Sequence, residues 1–496
     1  MNTKKPAKPI STMLVLALVT VAILSCNGPE KSEGDAPRDM TGSDGATQNA
    51  TEPEEVLPVF DFGGYEFVIL NMIQSEHTYM NIIMETAEET GEPINDAAYR
   101  RSRELEEHFN ITLRETNATS TQQAARKEIL AGDTTFDLAM LIDRELMILS
   151  QQSMVARIDA LPNVRLDKAW WDQNAKKAFS IGGKLFALPG AYQLSNLDLT
   201  RFVLFNKQLL ADIDGGDLYK LVKDGTWTFD RLISIARQHS KDLNGDGVFD
   251  ENDSYGLLSI AHHISSSIFF YGSGEAYIKK DNDDIPYFAM PGNERAVMIF
   301  QKVMNDLYEG NYYFCVQGMK GSPDLDAVAT AIFAGDRALF YAISLNRIPK
   351  FRDMDSPFGI LPPPKFEEAQ EKYYCESGGG LLGMVPASAD SEVLARAGAV
   401  WDAYSQLSYK YVLPAYFDVS LKTKFSRDPE SEEMLDLIYK NLWYDLGNVY
   451  WWSDIINTYN GLFVKKDTNI VSATEKINDK INKIISDYVD SFMDVK

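Results

Sequence analysis

YEFVILNM, residues 65–72, is an unbroken apolar run rich in β-branched residues, the composition of a strand buried on both faces. The segments after it decide the fold. From Ile94 to Phe109 the composition is helical, with Ala98, Leu105 and Phe109 on one face and Arg100, Arg101, Arg103, Glu104, Glu106 and Glu107 around it. A short strand is expected over Ile111–Arg114, a helix over Thr121–Leu130 and a third strand over Phe136–Ile142. Strand alternating with helix in this way implies a parallel sheet covered on both faces, hence an α/β fold.

Two further strands are expected at Lys184–Leu188 and Arg201–Phe205, separated by a segment with Pro189 and Gly190 that can cross between domains. WTFDRLISIARQ, from Trp227 to Gln238, reads as a helix: Phe229, Leu232, Ile233 and Ala236 form one apolar stripe and Thr228 its cap. Ala338–Ile343 and Gly380–Val385 supply later strands, and the chain from about Glu392 onward is mostly helical in pattern. No internal repeat is present.

The first residues read as a signal rather than as structure. Lys4, Lys5 and Lys8 precede an apolar stretch of 12 residues, Met13–Leu24, whereas a spanning helix needs roughly 20. Ile23-Leu24-Ser25-Cys26 resembles a bacterial lipobox, so residues 1–26 are expected to form a lipoprotein signal peptide with Cys26 as the acylated residue and the lipid as the only membrane attachment. An ordinary signal peptide with an incidental cysteine is the alternative. Asn27 lacks the aspartate associated with inner-membrane retention, which leaves the choice of membrane open. Residues 27–56, rich in Gly, Ser, Thr, Pro, Asp and Glu, cannot bury enough surface to offset the entropy of ordering and read as a disordered tether.

The remainder is long enough for two or three domains. With 48 basic against 72 acidic residues the net charge is −24, which excludes nucleic acid and anionic lipid surfaces as partners, since both demand basic surface. Cys315 and Cys375 are too few for a disulfide framework, and whether they pair is left open.

The sharpest local motif spans Asp242–Asp253. Oxygen donors fall at Asp242, Asn244, Asp246, Asp250 and Asp253, glycine stands at the sixth position and Val248 can offer its carbonyl at the seventh. This is the EF-hand calcium-loop pattern with Asp in place of the terminal Glu, as in dockerin loops. A structural calcium ion is therefore expected, with an acidic turn holding no metal as the alternative.

Enzymatic signatures are mostly absent. The five histidines, His77, His108, His239, His262 and His263, show no HExxH spacing, and His262 and His263 would point to opposite sides of a strand. GGGLLG from Gly378 to Gly383 fits a dinucleotide-binding pattern formally, but a strand-like run comes next where a helix should begin. Neither a GxSxG elbow nor a Walker motif occurs.

FDLAMLIDREL (136–146), IGGKLFALPGAYQ (181–193), RFVLFNKQLL (201–210), GTWTFDRLISIA (225–236), IFAGDRALFYAIS (332–344), SPFGILPPPKF (356–366) and GGGLLGMVPASAD (378–390) succeed one another along nearly the whole mature chain. In this order they resemble the extracellular solute-binding proteins of ABC transporters, family 1, the carbohydrate-binding group that includes maltose-binding protein. The resemblance implies a type II periplasmic-binding-protein-like fold of two hinge-linked lobes, mixed sheets flanked by helices. Lobe one would comprise 57–189 plus 377–410 and lobe two 193–374 plus 415–496. It implies a monomer, no enzyme, that holds a small solute, expected to be a carbohydrate, in the interlobe cleft and presents it to the permease subunits of an ABC importer.

By the same resemblance Asp143 and Arg144, after the third strand, contact ligand, as do Tyr192 and Gln193 on the first crossover, Tyr341 and Ser344 after a later strand, and Glu376 and Ser377 near the second crossover. Trp451 and Trp452 stand where the family has a C-terminal stacking aromatic, with core packing as the alternative for each. Trp170, Trp171, His262 and Tyr271 are weaker candidates. Two other classes remain: an exported, calcium-stabilised glycoside hydrolase or lyase, since 72 acidic residues cannot exclude a catalytic pair, and a surface glycan-binding lipoprotein without an importer, which the α/β alternation disfavours.

Overall fold

Tyr65–Met72 is the strand the apolar run predicts, and its neighbours assemble around it in a computed structural model that describes residues 55–76, 80, 82–319, 324–417, 429–450 and 452–494, without the side chains of 452–454. The signal peptide with Cys26, nearly all of the tether, His77 and Trp451 lie outside the described residues, as does the side chain of Trp452. The described strands are, in chain order, β1 Tyr65–Met72, β2 Ile111–Ala118, β3 Leu138–Ile142, β4 Arg201–Asn206, β5 Tyr255–Ser259, β6 Ile278–Lys280 and β7 Pro286–Phe288. They continue with β8 Tyr313–Cys315, β9 Ala338–Ser344, β10 Phe358–Leu361, β11 Cys375–Glu376, β12 Leu381–Met384 and β13 Leu442–Trp443.

The first lobe is built on a sheet of order β12-β3-β1-β2. β1 runs parallel to β2 from Tyr65↔Ile111 to Met72↔Ala118 and parallel to β3 on its other edge, while β12 returns antiparallel to β3 with Leu381 opposite Ile142. Because β1 offers a ladder through Met72, β2 continues past Arg114 to Ala118. The second lobe is built on a mixed sheet of order β10-β4-β9-β5-β8. β4 lies antiparallel to both β9 and β10, and β5 parallel to β8 and β9.

The helices form where sequence and caps agree. Pro93–Phe109 buries Ala98, Leu105 and Phe109 and ends on Asn110 at φ 50°. Thr121–Ala131 starts with Ser120 accepting from Gln123 N–H and stops at Gly132, φ 69°. Phe229–Ala236 has the predicted cap, Thr228 accepting from Arg231 N–H, and buries the predicted stripe. Each such buried Leu, Ile or Phe contributes about 1.5–3 kcal/mol.

One expectation is corrected. Lys184–Leu188 is not a strand: Leu185 N–H donates to Asp159 Oδ1 at 3.1 Å and Leu185 carbonyl accepts from Ile158 N–H at 2.9 Å, so the helical turn Ile158–Ala160, not a ladder, satisfies the Leu185 backbone. Its apolar side chains are covered by the last helix, Ile470–Asp494, whose Phe492 ring lies 4.3 Å from that of Phe186. His262 and His263 open the helix His262–Gly272, which begins shortly after β5.

The chain passes from the first sheet to the second between β3 and β4, the first crossover, and returns between β10 and β12, the second crossover, where β11 pairs in parallel with β13. Cys375 on β11 and Cys315 at the end of β8 are both buried free thiols. No described helix is long and apolar enough to cross a membrane.

Candidate functional site

A pocket of about 130 Å³ opens where the end of β3, the second crossover and the start of β4 meet; Met80, Asp143, Arg144, Leu199, Arg201 and Asn448 line it. Asp143 is delivered by the end of β3 and is held from two sides. Its N–H donates to Gly380 carbonyl at 3.0 Å, its Oδ1 accepts from Arg144 N–H at 2.6 Å and its Oδ2 from Gly379 N–H at 3.0 Å. That approach requires glycine. A Cβ on Gly379 would stand 2.9 Å from Asp143 Cβ, and one on Gly380, at φ +71°, would stand 2.6 Å from Ser195 Oγ. Burial pushes the Asp143 carboxyl up to about 6 against the opposing backbone bonds.

Arg201 heads β4 and is only 8 % exposed. Its Nε lies 3.5 Å from Glu376 Oε2, too far for a good hydrogen bond, and neither atom has a hydrogen-bond partner. Glu376, 1 % exposed on β11, accepts from Asn448 Nδ2 through its other oxygen, while Asn448 Oδ1 is left without a partner. Burial raises Glu376 to about 7, opposed by the Arg201 charge. Burial also holds His263 down at about 3, with Arg201 and Arg347 nearby adding to the effect. Behind this layer Asp445 accepts from the N–H groups of Tyr277, Ile278 and Gly447 at 2.6, 3.2 and 2.7 Å, and burial pushes it up to about 6.

Of the residues expected at the site, Asp143 and Arg144 line this pocket and Glu376 lies behind Arg201. Others are packed inside and do not line it. Tyr192 donates to Leu188 carbonyl and accepts from Gly383 N–H, both at 3.0 Å, with its ring against Trp171 and Trp401. Gln193 accepts from Ser195 and Asn196 within the first crossover. Tyr341 is enclosed by Phe333 and Phe351. Ser344 bonds Asn346 and Arg347, and Ser377 pins the two crossovers together by donating to Asn196 carbonyl. Trp170 and Trp171 both donate to Asp402 Oδ1 at 3.0 Å, Tyr271 packs on Tyr277 and Trp443, and His262 meets Tyr308. Arg201 and Asn448 were not anticipated. Arg201 carries a sequence signal: it is the one charged residue of the strand RFVLFN and stands directly before four apolar residues.

The Asp242–Asp253 loop winds around its own amides. Asp242 accepts from Gly245 and Gly247, Asn244 from Asp246, and Asp246 from Val248. Asp253, fully buried, accepts from Leu243 and Asp250, each at 2.9 Å. Gly247 takes φ +81°, the sharp turn that the sixth position requires. Among the described residues no three His, Cys, Asp or Glu side chains converge as a metal cluster. A carboxylate oxygen bonded to one amide keeps a second lone pair, so the loop residues remain compatible with a cation.

Two sheet-centred lobes joined by crossing segments, with a polar pocket at the crossing, define the two-lobe type II solute-binding class. The chain belongs to the bacterial extracellular solute-binding proteins: the model of that family matches residues 101–400, more than half of its length. That family places the protein outside the cytoplasm.

Solved structures agree in fold. A cyclo/maltodextrin-binding protein complexed with maltotetraose is 14 % identical, with 86 % of this chain and 96 % of that one covered at a TM-score of 0.54. The maltose-binding periplasmic protein of Listeria monocytogenes in complex with maltose is 15 % identical, with 84 % and 98 % covered at 0.54. The acarbose-binding GacH receptor of Streptomyces glaucescens is 12 % identical, with 86 % and 99 % covered at 0.52. No curated protein is similar to the chain in sequence.

Proposed function

We propose that the protein is a lipid-anchored receptor that captures a mono- or oligosaccharide between its lobes and hands it, chemically unaltered, to an ABC importer. The observation that carries this reading is the interlobe pocket with its unfinished hydrogen bonding: of the residues that line it, Arg201 Nε and Asn448 Oδ1 are buried without a partner. An unsatisfied buried polar group costs about 1–3 kcal/mol, so a hydroxyl-bearing solute that supplies partners gains what the empty site lacks. Asp143, Arg144, Arg201 and Asn448 would be its contacts, with Glu376 setting the Arg201 head. The fold neighbours bound to maltose, maltotetraose and acarbose support carbohydrate as the solute class.

The pocket, about 130 Å³, takes lining residues from the end of β3, the second crossover and the start of β4. A solute held there would touch both lobes, and the closed state would gain from contacts made on both. Cys26 would carry the lipid, and the Asp242–Asp253 loop would hold one structural calcium ion through Asp242, Asn244, Asp246, Asp250, Asp253 and the Val248 carbonyl.

Isothermal titration of the protein with neutral and charged saccharides, with product analysis of each mixture, tests the reading. Saturable binding with every saccharide recovered intact is expected, with stabilisation of about 2.7 kcal/mol at a hundredfold excess over Kd. Consumption of a saccharide would overturn it in favour of the hydrolase or lyase.

A further inference from the structure

We propose that the saccharide carries an anionic group, seated between the guanidinium groups of Arg201 and Arg144; this deepens, and rests on, the receptor reading above. Two guanidiniums line one pocket of about 130 Å³. Arg201 is more than nine-tenths buried, its Nε has no hydrogen-bond partner, and its nearest carboxylate oxygen, Glu376 Oε2, stands off at 3.5 Å. The Arg144 side chain is exposed at the pocket and makes no hydrogen bond among the described residues.

The one carboxylate in the lining is already compensated. Asp143 gives one oxygen to Arg144 N–H and the other to Gly379 N–H. Glu376 does not line the pocket, and Asn448 holds its second oxygen. Its raised pKa leaves Glu376 partly protonated near neutral pH, so it offsets Arg201 incompletely. The pocket thus presents two planar cations whose donors are unmatched. A guanidinium fork pairs bidentately with a carboxylate, sulfate or phosphate, and weakly with a lone hydroxyl. A net charge of −24 repels anions at long range, so a local pair of cations has a reason to exist where an anionic solute must be held.

The shared chemistry is an anion on a sugar, and uronates, sugar sulfates and sugar phosphates all supply it. The test is isothermal titration of the full chain in detergent with glucose- and galactose-based mono- and disaccharides, each in neutral, uronate, sulfate-ester and phosphate-ester form. At least one anionic member should bind about tenfold or more tightly than its neutral parent, the scale of one charge-assisted hydrogen bond. Which arm wins identifies the anion. Arg144→Gln, at an exposed position where folding is not at stake, should lower the anionic-to-neutral affinity ratio about tenfold, and Arg201→Lys, checked for native circular dichroism, should lower it as well. A panel in which no anionic member outbinds its parent, or an Arg144→Gln protein with an unchanged ratio, overturns the inference. Neutral binding without consumption would then leave the receptor reading standing, whereas consumption of a sugar would remove both.

Discussion

Glu376 is a residue whose burial has a measurable consequence. Its folded-state pKa, raised by burial to about 7 from the ordinary 4.5, means that the native protein keeps a proton that the unfolded chain gives up. The associated stability is fully present below about pH 4.5 and is lost as pH rises through about 7. Asp143 and Asp445, each raised to about 6 by burial, act in the same direction and end at lower pH. The melting temperature should therefore fall between pH 5 and pH 8, and Glu376→Gln should flatten the upper half of that slope by a few degrees; an identical slope in the variant would refute the assignment. Gly380 makes a second case. GGG reads in sequence as a flexible crossover, yet its reason is steric: φ is +71° and Ser195 Oγ occupies the space of a side chain. Gly380→Ala should cost about 1–3 kcal/mol in denaturant unfolding, where a neutral result would mean that the crossover yields. Asp143 and Arg144 are named by the family resemblance, which sets ligand contacts after the third strand, and both line the pocket. Arg201 and Asn448 were not placed, since their meeting depends on two crossovers folding over one another.

At the scale of elements, legibility depends on the locality of the cause. β1 and the helices Thr121–Ala131 and Phe229–Ala236 lie where the sequence puts them because period, cap and stop residue are all local. Lys184–Leu188 has strand composition because its Phe186 is covered by the distant Phe492, a cause that no local pattern carries, and β11 and β13, two residues each, have no periodicity at all. The Asp242–Asp253 loop combines both kinds of information. Asp253 staples it locally, so Asp253→Asn should destabilise the protein even in chelator, whereas a calcium ion would add stability in proportion to its occupancy. We expect millimolar calcium to raise the melting temperature by several degrees and Asp246→Ala to abolish that increment while changing the chelator baseline little. If calcium raises both proteins equally, the ion acts elsewhere.

The whole molecule turns on contacts that differ between open and closed arrangements, and the last helix is placed to make one. Most of Ile470–Asp494 packs on the second lobe, against β7 and the neighbouring helices Glu294–Tyr308 and Trp452–Lys465, yet its end reaches residues that precede the first crossover. Lys184 Nζ donates to Phe492 carbonyl at 3.0 Å, and Phe492 is fully buried against Phe186. A second strap lies close by: Lys280 Nζ, beside the β6–β7 turn, donates to Ser180 carbonyl at 2.7 Å, and Asp284 accepts from Gly183 N–H at 3.0 Å. Separation of the lobes to admit a saccharide ring would break these bonds, so they favour the closed arrangement before solute arrives. Phe492→Ala removes a fully buried ring, worth about 3–5 kcal/mol of total stability in other cores. The portion of that made only on closure should reappear as weaker solute binding. Small-angle scattering of the solute-free variant should show a larger radius of gyration than the parent, titration should show an affinity at least several-fold lower, and saturating solute should restore the parental profile. A variant that melts earlier but keeps both the parental radius and the parental affinity would show that the contact is the same in both states, and that closure is governed at the pocket alone.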